Sequence, residues 1–224
     1  MRNLKLLAAV AVLACAAATT AAAQSSPVAV GVNLGTTGVG LEAQLSVSDS
    51  LVLRSSADGL SFNRDETYSD VDYDGKLKST TAGLFADWHP GGSAFLLSAG
   101  AYVGERKVNL DAQPTGPVEI GGATFTPAQV GRIEGQAKMS DVQPFAGIGF
   151  DNTFTGGDGA WGFRALAGVA FSRSPEVTLR AVGGTFSNDP AFLARLRQEE
   201  QDLQDDADDV KYYPVVQIGV TRRF

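Results

Sequence analysis

Charged and amide side chains at alternating positions are the residues most able to do chemistry in this sequence. Glu42, Arg54, Asp58, Asp87, Arg164 and Arg223, with Gln44 and Gln217, fall on the polar side of segments that alternate apolar and polar residues. Turned inward in a narrow closed sheet, such charges must pair, because a single buried charge is strongly destabilising. Glu42, Arg54 and Arg164 are the expected pair or triad. Together with Asp58 they form a lumen polar network. Its functional version is a gate or selectivity element. Its structural version is a plug, and geometry favours the plug, since a ring of about eight strands is only wide enough for side chains to fill.

A second constellation is Asp70-Val71-Asp72-Tyr73-Asp74-Gly75. It matches the D-x-D-x-D-G opening of a calcium loop. Asp70, Asp72 and Asp74 can converge on one hard cation where glycine permits the turn. The twelfth position is Thr81, however, not the bidentate Glu that completes such a loop. The expectation is therefore an acidic, hydrated external loop that bridges divalent cations weakly to phosphorylated headgroups. No tight metal site and no cofactor is expected.

A third feature is helical. Asp189-Pro190 reads as an N-cap followed by Pro at the first helical position. The helix should run to Asp209, with Leu193, Leu196, Leu203, Ala207 and Val210 as its apolar stripe. Glu199, Glu200, Asp202, Asp205, Asp206, Asp208 and Asp209 cover most of the rest. It is expected outside the membrane, packed on its own loop or on the rim. His89, the single histidine, adjoins Pro90 in a tight turn and belongs to no nucleophile motif. An enzymatic role is not expected.

These residues must be positioned by strands. Eight segments alternate with period two: Val28 to Leu34, Val39 to Val47, Leu51 to Arg54, Ala82 to Trp88, Phe95 to Val103, Val142 to Phe150, Trp161 to Phe171, and Tyr212 to Phe224. One face of each is large and apolar. The other is Gly, Ala, Ser, Asn or Gln with a few charges. A soluble sandwich also alternates, but it puts its large residues inside. A small polar inner face with a continuous apolar outer one is the pattern of a transmembrane barrel. Backbone groups in lipid must be paired, so the strands have to close on themselves.

The connections alternate too. Ser48-Asp49-Ser50, His89 to Ser93, and Phe154 to Trp161 are short. Asn63 to Lys76, Glu105 to Asp141 and Ser174 to Lys211 are long and polar, with only Gly35-Thr36-Thr37-Gly38 short on that side. Outer-membrane barrels combine short periplasmic turns with long external loops.

Composition narrows the function classes. The 224 residues carry 18 Lys and Arg against 25 Asp and Glu, a net charge of −7, which argues against a nucleic-acid partner. One Cys and one His exclude disulfide frameworks and His-rich metal centres. Residues 1–23 read as an export signal: Arg2 and Lys5, an apolar run from Leu6 to Ala18, then Ala21-Ala22-Ala23. Val12-Leu13-Ala14-Cys15 also fits a lipobox, which would make Cys15 a lipidated N-terminus. The remaining domain is 24–224.

The chain ends Val216-Gln217-Ile218-Gly219-Val220-Thr221-Arg222-Arg223-Phe224. An alternating strand closed by a terminal Phe resembles the assembly signal of bacterial outer-membrane barrels. With the signal and the alternation, the whole chain resembles the small OmpA-like and OmpW-like class. Arg222 departs from that class, which favours an aromatic or apolar residue there. The resemblance implies an all-β, eight-stranded up-and-down barrel in the bacterial outer membrane. It also implies the barrel-assembly machinery as a partner through Phe224, and outer-membrane lipids and lipopolysaccharide as surroundings. The function expected is a non-catalytic surface or envelope role. The alternatives are a small-solute porin or binding barrel and, behind these, a lipid-modifying enzyme.

Overall fold

The computed structural model describes residues 27–68, 71–155 and 159–224. The export signal, Cys15 and Asp70 lie outside them. The chain forms β1 (Val28–Gly35), β2 (Gly38–Ser48), β3 (Leu51–Tyr68), β4 (Val71–Trp88), β5 (Phe95–Pro114), β6 (Val118–Ile120), β7 (Ala123–Phe125), α1 (Pro127–Val130), β8 (Gly131–Lys138), β9 (Val142–Asp151), β10 (Trp161–Phe171), β11 (Glu176–Gly183), α2 (Pro190–Ala207) and β12 (Tyr212–Arg223).

Eight strands close into an antiparallel ring in the order β1, β2, β3, β4, β5, β9, β10, β12. The expected segments are these eight strands. β12 closes on β1, with Leu34 opposite Ile218 and Ala29 opposite Arg223. The turns after β2 and β4, the end of β9, the start of β1 and the end of β12 lie at one end of the ring. That end is called proximal below, and the other distal.

The ring is not level at its distal end. β1 and β2 meet in the short turn at Thr36-Thr37, whereas β3 and β4 run on together for 18 residues each and β5 for 20. β8 pairs with the distal part of β5, and β11 with β8. The result is a wall of strands standing on one side of the mouth. This corrects the expectation of long polar loops in part: the helix expected after Asp189 is present, but 63–76, 105–141 and 174–211 are otherwise built largely from sheet, with the short α1 between β7 and β8.

The wall has a simple physical signature. On β4 the outward positions are Trp88, Ala86, Leu84 and Ala82, then Thr80, Lys78, Lys76 and Asp74. The inward ones are Asp87, Phe85, Gly83, Thr81 and Ser79, then Leu77, Gly75 and Tyr73. The backbone keeps its phase while the side chains exchange character near Thr80. The outward side chains of β4 are apolar below that level and polar or charged above it.

α2 covers the inner side of β8 and β11. Asp189 caps it, its carboxylate accepting from the Ala191 and Phe192 amides at 3.0 and 2.9 Å. Phe192 and Leu196 are buried with Ile120 and Val130, against Phe125, Ile133 and Leu179. The expected stripe is thus corrected in part: Leu193 and Leu196 pack, Phe192 joins them, and Leu203 and Val210 are exposed. The acids have a second use. Glu200 accepts the Leu179 amide at 2.7 Å and Gln204 the Val177 amide at 2.9 Å, so α2 masks donors on the free edge of β11. The β6–β7 hairpin turns at Gly121-Gly122, whose φ values of 54° and 72° require glycine. Arg195 donates to the Gly121 carbonyl at 2.7 Å and tethers the hairpin to α2.

Candidate functional site

The interior of the ring is filled by charged and aromatic side chains in layers. Nearest the proximal end, Asp151 accepts from the Thr153 amide at 2.8 Å and from the Thr153 hydroxyl. Gln44 bridges the Asp151 and Glu42 carboxylates, donating at 2.9 and 3.1 Å. Arg164 grips Glu42 with both Nε and Nη2, the Nε bond being 3.2 Å. β2 and β10 are not neighbours in the sheet, so this pair spans the lumen.

Arg54 makes a different pair from the one expected. It donates from Nε and Nη2 to Asp87 at 2.6 and 3.2 Å, while the Ser98 hydroxyl donates to Asp87 at 2.5 Å. The expected triad is therefore two pairs, Glu42–Arg164 and Arg54–Asp87. Both are wholly buried. Asp58 is buried as well but has no arginine on it. It accepts from Ser56 at 2.7 Å, Thr37 at 3.5 Å and Gln217 at 3.4 Å.

Phe85, Tyr102 and Phe145 form the next layer, edge to face with centroids 4.9 to 5.6 Å apart. Arg54 lies 4.2 Å from the Phe85 centroid, which couples the aromatic and ionic layers. Leu96, Leu166, Ala170 and Val215 complete this core. Arg106 stands distal to it, stacked on Tyr102 at 5.0 Å and Tyr213 at 4.3 Å and donating to Gln143.

The structure therefore places Glu42, Arg54, Asp58 and Arg164 inside, together with Asp87, Gln44 and Gln217. Arg223 is at the proximal rim, donating to the Gly159 carbonyl at 2.9 Å. Asp151 and Arg106 were missed. Both continue the inward parity of their strands, Arg106 two positions beyond Gly104 and four beyond Tyr102.

The expectation of an acidic external loop at Asp70, Asp72 and Asp74 is corrected for the two described acids. Asp72 and Asp74 lie in β4, in extended backbone, with Asp74 directly between Asp65 and Asp111. Asp111 in turn faces Glu134, and Arg132 reaches Asp111 at 3.9 Å. This is an outward row across four strands, not a wrapped loop. Among the described residues no group of three His, Cys, Asp or Glu side chains is placed to hold a metal ion. His89 occupies the proximal turn, its Nδ1 2.9 Å from the Ser93 carbonyl.

The outer surface of the ring is the reverse of the interior. Leu84 is 72% exposed, Leu41 67% and Ile148 56%, and Val32, Leu34, Val216, Ile218 and Val220 are similarly uncovered. Trp88, Phe95, Phe150, Trp161 and Phe163 gather at the proximal edge of this belt, and Phe171 and Tyr212 at the distal edge.

No family model and no curated protein matches the chain. Solved structures share the fold, among them two from Acinetobacter baumannii. Acinetobacter baumannii CarO2 is 22% identical with a TM-score of 0.59, over 90% of this chain and 100% of that chain. A. baumannii CarO is 22% identical with a TM-score of 0.56, over 88% of this chain and 98% of that chain.

Proposed function

We propose that this chain is a non-catalytic outer-membrane β-barrel of a bacterial envelope, sealed along its axis and presenting the distal wall to the exterior. The observation that carries the reading is the belt of exposed apolar side chains around a closed ring with a charged interior. Monomeric soluble proteins rarely expose contiguous apolar surface beyond a few hundred Å². In a bilayer the same belt is the solvated surface, and aromatic residues at its two edges match the interfacial girdles of such barrels. Residues 1–23, read as an export signal, fit that destination. The likeness to the two CarO structures supports the architecture.

The Glu42–Arg164 pair across the lumen, the Arg54–Asp87 pair and the aromatic layer stacked on them support a plug over a pore. His89, in a turn at the end opposite the wall, supports the absence of catalysis. Outward carboxylates of the wall, Asp72, Asp74 and Glu134 among them, are the groups through which divalent cations would bridge to phosphorylated headgroups. Two measurements test the reading. Folded protein should migrate faster unheated than boiled on a detergent gel, and planar bilayers containing it should show no stepwise ionic conductance. Migration unchanged by boiling would remove the barrel, and reproducible ohmic steps would remove the seal.

A further inference from the structure

Arg106 is buried to 2% exposure, and its Nε and Nη2 have no hydrogen-bond partner among the described residues. Only Nη1 is engaged, by the Gln143 carbonyl. Leaving charged donors unpaired away from water is costly. Asp58, another buried acid of the interior, is taken by Ser56, Thr37 and Gln217 and does not hydrogen-bond Arg106. Arg106 is thus a buried cation whose complement is missing.

The surface leading to it has a definite character. Ser79 faces Arg106 across the β4–β5 pair, and the Ser79 hydroxyl and the Tyr102 phenol beside it are also buried without partners among the described residues. Moving distally up the inner face of the wall, the next rung is Phe62–Leu77–Val108. The rung above runs Arg64–Gly75–Leu110–Gly135. Phe62, Val108 and Leu110 are 56%, 45% and 41% exposed, and α2 packs farther along, over β11. Glycine on both sides leaves Leu110 uncovered. Opposite this patch the rim is low, because β1 and β2 end at the Thr36-Thr37 turn. Tyr213 covers one face of the guanidinium with its ring and donates from its hydroxyl to the Thr36 carbonyl at 2.5 Å.

From this juxtaposition we infer that the distal mouth is a binding site for a small amphipathic anion. The carboxylate is received by Arg106 Nε and Nη2, with Ser79 and Tyr102 as further donors. The apolar body lies on Phe62, Val108 and Leu110. Val108 is about 7 Å and Leu110 about 14 Å up the strand from Arg106, so the ligand carries its charge at one end. Guanidinium and carboxylate match in a two-pronged geometry that a point cation does not offer. Tyr213 swings away from Thr36 to admit it. The inference rests on the barrel reading only in taking this mouth as the exterior one.

The test uses the mature chain refolded in nanodiscs of neutral lipid, titrated calorimetrically with 4-phenylbutyrate, 4-phenylbutanol and 4-phenylbutylamine. Phenylbutyrate should bind saturably at one site, at least tenfold tighter than the alcohol, with no saturable binding of the amine. Arg106→Gln should erase the difference between acid and alcohol. Leu110→Asp, at a position 41% exposed, should abolish phenylbutyrate binding while leaving heat-modifiable migration unchanged, and serves if Arg106→Gln does not refold. Equal binding of the three probes, unchanged affinity in either variant, or no saturable binding to the folded chain would overturn the site. The same preparation is checked for heat-modifiable migration. A folded ring without binding defeats this inference alone, whereas a chain that fails to form a detergent-resistant ring defeats the barrel reading and this inference with it.

Discussion

Replacing Arg164 with Met should lower the stability of the refolded protein by about 3–5 kcal/mol, the cost of leaving one member of a buried ion pair without its partner. Glu42 would keep only the amide of Gln44, at 3.1 Å, and that of Asn33, at 3.5 Å. Its side chain is wholly buried, beside the Gln44–Asp151 bridge. The informative partner is the double variant Arg164→Met with Glu42→Leu. A well-packed apolar pair of similar volume is often neutral or better against a buried ion pair, so the double variant should recover most of the loss. Urea titrations in lipid, read by tryptophan fluorescence and by heat-modifiable migration, measure both. Single and double variants that lose stability equally would show that the pair acts by shape and not by charge.

Ile218→Arg is the second large effect, expected to cost about 2–4 kcal/mol if the position lies near the bilayer midplane. Ile218 lies outward between Leu34 on β1 and Ala165 on β10, in the middle of the apolar belt. The same strand supplies its own comparison. Arg222 also points outward, but at the proximal edge, where its guanidinium lies 5.7 Å from the Trp161 ring and 5.8 Å from that of Phe224. A cation there reaches headgroups and water while its stem rests on apolar surface. Arg222→Ile should therefore change stability by about 1 kcal/mol or less, as expected near an interface. Should Ile218→Arg refold in lipid as stably as the parent chain, the outer face of β12 is not in hydrocarbon and the membrane reading falls.

The eight ring strands were legible in the sequence because, within the ring, each lies between two unlike surroundings. Val216, Ile218 and Val220 point one way while Gln217, Gly219 and Thr221 point the other, and that contrast is local. The wall was not legible for the same reason inverted. In Lys76-Leu77-Lys78 the apolar residue faces in and the charges face out, as in any half-buried sheet in water. The alternation is weaker there and opposite in phase, so it read as loop. Inward placement of Glu42, Arg54, Asp58 and Arg164 followed from parity. The pairing did not, because Arg54 lies diagonal to Asp87 on the adjoining strand and Glu42 meets Arg164 only after the ring closes. Asp72 and Asp74 were misread because every second residue is also the spacing of one face of a strand.

The change of phase near Thr80 has a consequence for how the molecule sits. Outward apolar side chains on β10 run from Trp161 to Phe171, whereas on β4 they run only from Ala82 to Trp88. At about 3.4 Å per residue these are about 34 Å and about 20 Å of strand. Hydrocarbon of one thickness cannot match both sides of an upright cylinder, and mismatch is relieved by tilting or by locally thinning the bilayer. The ring should therefore lean, with the surrounding leaflet thinner beside β4 than beside β10. In oriented bilayers, infrared dichroism would report that lean as a mean strand angle that shifts with acyl chain length.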